Sequence, residues 1–432
     1  MRPTLPTMAV LAVTLLTACA TPPDLTALET VVVTREARLP ASLAAGAFGQ
    51  AVAQAVTSSP TLGRGAAALR EAEANLLAEG GAFLPQISVG LRPQDNGGFG
   101  VTSFGAISQL LYDGGASTAR KTAARARVLG GVAGRRDAGS RAALSAVDAW
   151  AGVATAQALV QVSEGSLTAL EATTAQIEER SSGGLGSSVD ALTARSRLAN
   201  ERAAVVAARS EVTRAEAIFI EVFGHAPAPG LSLPPQAPRA PEAGAEGSPT
   251  LRRAEAEVLA AQAEHTAALA GRVPSLSVSV SAIPGASAVA GLASEQLLSP
   301  ARGRTARVAA AEARIDARRV DLDATRRELE SRLRILAAER GVVADRLAAA
   351  RAATEANRAN LEMARDQFQA GRRSLIELLD AEREALASER QRILAEHDRA
   401  VLDYAILAAT GDILDVFAVT LPTPAMSGQA SQ

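Results

Sequence analysis

One cysteine, one lysine and three histidines are all that the 432 residues contain of those types. A single cysteine, Cys19, excludes a disulfide framework and a cysteine-based metal site. His225, His265 and His397 lie far apart and have no metal-ligand spacing. No phosphate-binding loop, nucleophile elbow or Cys–His set occurs, so the chain offers no enzyme signature and implies no cofactor. Charge of either sign is not in excess: 44 basic residues stand against 46 acidic ones. A nucleic-acid partner would ask for a basic surplus, and there is none. Lys121 is the lone lysine, a preference for arginine that reflects composition rather than function. Beyond residue 19 no apolar run is long enough for a transmembrane helix.

The N-terminus reads as an export signal. Arg2 supplies a positive start, Met8–Leu16 an apolar stretch, and Leu16-Thr17-Ala18-Cys19 the end. That ending resembles the bacterial lipoprotein signal, in which the cysteine becomes the lipidated first residue. The resemblance implies a signal at 1–18, lipidation at Cys19 and an N-terminal lipidated segment over 19–40. Ala20 and Thr21 follow, with no Asp to suggest retention at the inner membrane. An exported chain without a spanning helix crosses a membrane as a β-barrel or not at all.

Two stretches carry the same landmarks. Ser59-Pro60-Thr61-Leu62 recurs as Ser248-Pro249-Thr250-Leu251, and Pro85 as Pro274, both 189 positions on. Gln109-Leu110-Leu111 recurs as Gln296-Leu297-Leu298, Gly184 as Gly371 and Gly224 as Gly411, all 187 positions on. The near-constant offset predicts one structural unit used twice, over 41–224 and 248–414. Between them, 225–247 is rich in proline and reads as an extended linker. Residues 415–432 read as a flexible tail.

Each unit opens with an Ala-rich helical segment that a proline closes. Ile87, Val89 and Leu91 then alternate with Ser88, Gly90 and Arg92, a period of two that marks a strand. Asp95-Asn96-Gly97-Gly98 turns, and a second strand runs to Tyr112, giving a hairpin over about 85–112. Leu276, Val278 and Val280 repeat the alternation among serines, in a hairpin over about 274–298. Strands of about ten residues with one apolar face match the length needed to cross an outer membrane. Four strands cannot close a barrel, since the smallest known types need about eight. Open edges are not tolerated in lipid, so the pattern asks for an oligomer: eight strands in a dimer, twelve in a trimer.

A very long helix follows each hairpin, over 116–181 and 304–367, each roughly 100 Å at 1.5 Å per residue. Val308, Ile315, Leu322, Leu329, Leu336 and Val343 recur every seven residues, and Val153, Val160 and Leu167 do the same. Sustained heptads predict coiled-coil packing. Tight breaks at 181–186 and 370–373 lead into returning helices over about 187–223 and 374–410, each closed by Gly224 or Gly411. The returning helix and the one before the hairpin together approach the length of the long helix and are expected to stack end to end beside it.

In this order, the pattern resembles the TolC-type outer-membrane channels of Gram-negative export systems. The motifs that carry the resemblance are Pro85 before the strand, Gln109-Leu110-Leu111-Tyr112-Asp113-Gly114-Gly115, and the run from Phe368-Gln369-Ala370-Gly371-Arg372-Arg373-Ser374 through Leu375-Ile376-Glu377-Leu378-Leu379-Asp380-Ala381. It covers about 41–414. The resemblance implies an α+β membrane protein: a homotrimeric twelve-stranded barrel, four strands per chain, continued by a long α-helical coiled-coil tunnel. It implies docking on a periplasmic adaptor and an inner-membrane transporter, ABC-type or proton-driven. Leu378-Leu379-Asp380-Ala381 with Leu407-Ala408-Ala409-Thr410-Gly411 looks most like channels of type I protein secretion, whereas lipidated members are more typical of drug or metal efflux. A periplasmic coiled-coil lipoprotein without a channel is the rival reading.

The helix–turn–helix tips are the candidate gate. Glu377 and Asp380 share a helix face, and three copies about an axis would give two carboxylate rings that constrict the pore and select cations. The resemblance suggests that Arg373 holds the closed state by pairing with Asp190, with Phe368 beside them. Gly184, Leu185 and Gly371 are the candidate adaptor-contact turns. Phe83 and Tyr112 are expected at the periplasmic rim of the barrel, and Trp150 is expected to serve packing.

Overall fold

The computed structural model describes residues 21–33, 37–93, 101–183, 187–239, 244–282, 288–295 and 301–422. Three helices precede the first strands: α1 (Thr26–Val33), α2 (Ala47–Ser58) and α3 (Pro60–Gly80). Pro60 ends one helix and starts the next, α3. It sits at the first helical position behind Ser59, whose hydroxyl accepts the Thr61 amide at 3.2 Å. Strands β1 (Gln86–Pro93) and β2 (Val101–Tyr112) follow. The turn after β2 is chemically specified. Asp113 caps the next helix, accepting the Ser117 amide at 2.7 Å, while Gly114 and Gly115 take φ of 68° and 91°. A Cβ on Gly114 would also lie 2.9 Å from the Val273 side chain. Helix α4 (Ala116–Ser182) then runs 67 residues and α5 (Ser188–Phe223) returns over 36.

The second half contains α6 (Pro249–Ala270), β3 (Ser275–Ala282), β4 (Val289–Glu295), α7 (Ala301–Gln369), α8 (Leu375–Thr410) and the short α9 (Ile413–Val416). Near the sheet, α4 packs against α3 and α6; farther down it packs against α5 and α8. Helix α7 packs against α6 and then α8. The shorter helices therefore do follow one another along the long ones. Towards the tips the helical layer runs α5–α4–α8–α7, with α5 and α7 at its edges. One 18-residue window of α4 is apolar enough to cross a membrane by length and composition, which corrects the expectation that no such run exists beyond residue 19. Half of that window is buried inside the subunit, because alanines such as Ala143, Ala146 and Ala151 let neighbouring helices approach closely.

The four strands form one antiparallel sheet in chain order, leaving β1 and β4 as open edges. The register places Ile87 beside Ile107 and Ile107 beside Val280 on one face. On that face Ile87, Val89 and Leu91 are 76, 83 and 74% exposed. The opposite face carries Ser88, Gly90, Phe104, Ala106, Ser108, Ser277, Ser279 and Ser281. One side is thus largely apolar yet uncovered; the other is mostly small and hydroxylated, with Phe104 and Leu110 as its larger apolar members.

The largest core lies at mid-height. Phe48, Trp150, Phe219, Phe223, Tyr404 and Phe417 meet there with ring centroids 4.2–6.1 Å apart. The chain after residue 415 is not a loose tail through Val419: Val416, Phe417 and Val419 are buried in this core. Apolar side chains at alternate and adjacent positions draw it in, and Asp415 fixes it by binding Arg136 at 2.5 Å and the Arg38 amide at 3.1 Å. Residues 423–432 lie outside the described residues.

Candidate channel gate and subunit edges

The α7–α8 tip is built by its own sequence. Gly371 takes φ of 66°, the Arg372 amide reaches back to the Gln367 carbonyl at 2.8 Å, and Ser374 opens α8. Ser374 and Glu377 form a capping box: the Glu377 carboxylate accepts the Ser374 amide at 2.9 Å and its hydroxyl at 2.7 Å. These hydrogen bonds hold the Glu377 carboxyl below the usual carboxylate range, with Arg373 nearby adding to the effect. The other tip is shaped in part by Ser187, whose hydroxyl accepts the Val189 amide at 3.2 Å. Gly184 and Leu185 lie outside the described residues, as does Cys19.

The two tips meet through a small apolar cluster. Leu170, Ile177, Ala191 and Ala194 of the first hairpin enclose Leu375 and Leu379 of the second, with Phe368 and Leu198 at its margin. Phe368 lies at the margin of this cluster, and its cationic contact is Arg180, whose guanidinium lies 5.7 Å from the ring centroid. Asp380 stands 3.8 Å from Arg197 of α5 and 3.2 Å from Arg383. Arg373 and Asp190, the pair expected to latch the tips, form no ion pair with each other within the subunit. Arg373 is instead the neighbour of Glu377 on its own turn. The cross-hairpin contacts that do form had a weaker signal, since Arg180 and Arg197 are two arginines among many. The capping box was legible as Ser374-x-x-Glu377.

Above the tips the hairpins touch through polar groups. Thr155 and His397 share a hydrogen bond at 3.0 Å, and Arg390 donates to the Ser163 hydroxyl at 2.9 Å. Glu382 accepts hydrogen bonds from Thr173 and Arg365; burial nonetheless pushes its carboxyl above the usual range. His397 is thus a cross-hairpin contact.

Both lateral edges of this helical layer carry an uncovered seam. On α5, Leu192, Ala199, Val206, Thr213 and Ile220 recur every seven residues and all are exposed. On α7, Ile335, Val342, Ala349, Ala356 and Met363 do the same. This second α7 seam is distinct from the buried row Val308, Ile315, Leu329 and Val343. Both seams span about the same stretch above the tips, roughly 45 Å at 1.5 Å per residue.

At the sheet end, Phe83 and Leu84 before β1 and Leu111 near the end of β2 are exposed, and the Gln109 side-chain amide donates to the Phe83 carbonyl at 3.1 Å. An antiparallel sheet with a bare apolar face, continued by helices of about 100 Å, is the architecture of an outer-membrane channel subunit. The chain belongs to the outer membrane efflux protein family, whose model matches residues 51–225 and 241–412. Solved structures share the fold. The outer-membrane channel OprN is 21% identical, with a TM-score of 0.76 over 91% of this chain and 99% of that one. VceC of Vibrio cholerae is 17% identical, with 0.74 over 84% and 96%. The open-state MtrE channel of Neisseria gonorrhoeae is 16% identical, with 0.73 over 89% and 95%. A comparison with curated protein sequences finds no match.

Proposed function

We propose that three copies of this chain close into one channel: a twelve-stranded barrel in the outer membrane over a twelve-helix tunnel in the periplasm. The observation that carries this reading is the pair of unfinished edges on each side of the subunit. The open strands β1 and β4 and the exposed seams of α5 and α7 ask for the same kind of neighbour, joined head to tail. Helix α5 runs away from the tips and α7 towards them, so the contact is an antiparallel coiled coil in which heptad matches heptad. A heterologous contact of this kind must close into a ring or grow into a filament. The bare apolar face then meets lipid and the serine face lines the lumen.

In this assembly the tips form the gate. Arg180 on Phe368 and Arg197 with Asp380 hold the hairpins together, and Asp380 contributes a carboxylate ring at the constriction. Glu377 supports the same helix end through its capping bonds. The turns at Gly184-Leu185 and Gly371 face a periplasmic adaptor that bridges to an inner-membrane transporter. Lipidation of Cys19 adds an anchor beside the barrel.

The cargo is read as small molecules. The string that favoured type I protein secretion is packing, because Leu378, Leu379, Ala381, Leu407 and Thr410 are buried. The family's description is efflux, and lipidation fits the drug-efflux members that the signal resembles. Purified mature protein should run as a trimer in detergent and conduct ions across a planar bilayer. A monomer with no conductance overturns the channel. Unchanged sensitivity to small toxic compounds in a deletion strain that loses a secreted protein overturns the cargo reading.

A further inference from the structure

Both helical hairpins carry a ladder of ion pairs at seven-residue spacing. In the first, Glu164, Glu171 and Glu178 of α4 bind Arg209, Arg202 and Arg195 of α5 at 2.7, 2.9 and 2.5 Å. In the second, Arg351 and Arg365 of α7 bind Glu396 and Glu382 of α8 at 3.1 and 3.3 Å. Between these two pairs Arg358 of α7 stands near Glu389 of α8. Hydrogen bonds from Arg392 hold the Glu389 carboxyl below the usual range, and Arg358 adds to the effect. All six positions of one ladder map onto the other at the offset of 187 residues, but with the charges exchanged. In the first hairpin the long helix supplies the acids and its returning helix the bases; in the second the assignment is reversed.

Apolar packing does not tell the two hairpins apart. Ile177, Ala191 and Ala194 of the first correspond at the same offset to Ala364, Leu378 and Ala381 of the second, and both trios are buried. The tight turns bring each returning helix beside its long helix, yet they leave open how far each helix is rotated about its own axis. Helix α4 stands between two returning helices, α5 and α8. In the ring proposed above, α7 likewise stands between α8 and the α5 of the next copy. Glu382 shows how near the alternative lies, since it accepts hydrogen bonds from Arg365 of α7 and also from Thr173 of α4. With one polarity throughout, arginines of α8 would meet glutamates of α4, and a second ladder would form across the hairpins. Exchanged polarity sets Glu against Glu in that contact and Arg against Arg between copies. The flank that α4 does turn to α8 is neutral at its hydrogen bonds, which come from Thr155, Ser163 and Thr173.

Resting on the channel reading for the contact between copies, we propose that the exchanged ladders are a pairing code: they fix the rotation of each long helix by leaving only one of its two flanking helices as an attractive partner. An exposed ion pair adds little stability, so the effect falls on which face each helix presents, and hence on which residues form the seams at the subunit edges. Discrimination of this kind comes from repulsion in the wrong arrangement as much as from attraction in the right one.

The test uses the full mature chain with Cys19→Ser, and with Glu171→Cys and Arg202→Cys at the middle rung. A short bifunctional thiol reagent then joins α4 to α5 only where the rungs face each other. Two variants are compared with this parent. One reverses the outer rungs in place, through Glu164→Arg, Glu178→Arg, Arg195→Glu and Arg209→Glu. It keeps both attractions within the hairpin but gives the two hairpins one polarity. The other changes the same four residues to glutamine, which removes the attractions and adds none. A ladder that served stability alone would leave the reversed variant equal to the parent and the glutamine variant weaker. The code demands the opposite order. Cross-linking within the chain should be near complete in the parent, slightly lower with glutamine, and roughly half in the reversed variant, where two facings of similar energy share the population. Circular dichroism should show unchanged helicity in all three. A reversed variant that cross-links like the parent, or no worse than the glutamine variant, overturns the code. Lost helicity in the reversed variant also overturns it, because local stability rather than facing would have failed. Cross-linking within one chain is read without trimers or conductance, so a wild type that shows neither counts against the channel while the code is still decided.

Discussion

Asp415 shows how one carboxylate closes a fold whose two ends are far apart in sequence. It binds Arg136 of α4 at 2.5 Å and the backbone of Arg38 at 3.1 Å, so it holds the N-terminal segment and the C-terminal one on the same helix. Arg136 also donates to the Gly411 carbonyl at 3.2 Å. Asp415→Asn leaves a largely buried guanidinium without its counter-charge, which should lower stability by about 3 kcal/mol. Denaturant unfolding in detergent measures it; a midpoint equal to wild type would show that the carboxylate is dispensable. Glu377 gives a pH prediction. Its folded carboxyl titrates below its ordinary value of 4.5. A group so depressed adds stability above the ordinary value, and that stability is lost as pH falls through the lower folded value. The first turn of α8 should therefore fray in acid, read as faster exchange of the Glu377 and Leu378 amides relative to mid-helix. Glu377→Gln, which still completes a capping box, should flatten that dependence. Arg197→Ser removes the partner of Asp380 on the other hairpin and should raise single-channel conductance; an unchanged trace would remove this contact from the latch.

At the scale of elements, strand β1 carries a sharp constraint. Gly90 lies opposite Phe104, and a Cβ there would come within 2.6 Å of the ring. Gly90→Ala should therefore cost about 1–3 kcal/mol, the usual range for overpacking, and Phe104→Ala should relieve it in the double variant. Heat stability of the trimer on gels reads both. This constraint was not legible beforehand, because cross-strand neighbours depend on a register that no single strand reveals. What was legible came from local rules. Alternation marked β1 and β3, seven-residue spacing marked the long helices, and glycines marked the ends of α5 and α8. The gate contacts were harder to see. Arg197 meets Asp380 only because α5 and α8 lie on either side of α4, and sequence spacing carries no information across that gap. The seams at the layer's edges were not legible, since nothing in the seven-residue spacing of Leu192 and Val206 says that the fold leaves them uncovered. Val206→Glu tests them. At 66% exposure it should leave the subunit's helicity intact. Buried in a ring, an unpaired charge should cost about 3 kcal/mol at each of the three interfaces, weakening each contact roughly a hundredfold.

For the whole molecule, the question is what keeps it in the membrane. Two devices are available on this reading: a barrel assembled from three sheets and a lipid on Cys19. Their strengths differ greatly. Ile87, Val89, Leu91 and Ile107 on the apolar face are exposed in the isolated subunit, as is Leu292, which pairs with Val278 on that face. Each apolar side chain moved from water is worth about 1.5–3 kcal/mol. A single acyl chain gives only marginal, reversible binding, with an association constant of about 10⁴ M⁻¹. The barrel should therefore dominate, and the lipid should matter during delivery and assembly. Helix α1 fits that division, because Leu25 and Leu28 pack on Ala126, Leu129, Ala256 and Ala260, and Glu29 binds Arg125 at 2.6 Å. These contacts tie the N-terminal segment to the tunnel wall without help from a lipid. Cys19→Ser with an intact export signal should consequently yield trimers that stay with outer-membrane fractions through high-salt and alkaline washes and conduct as wild type does. Mass spectrometry of the mature N-terminus would show the acyl group in wild type and its loss in the variant. Release of the variant into the wash, with the barrel folded, would mean that the lipid rather than the shared sheet holds the channel in place.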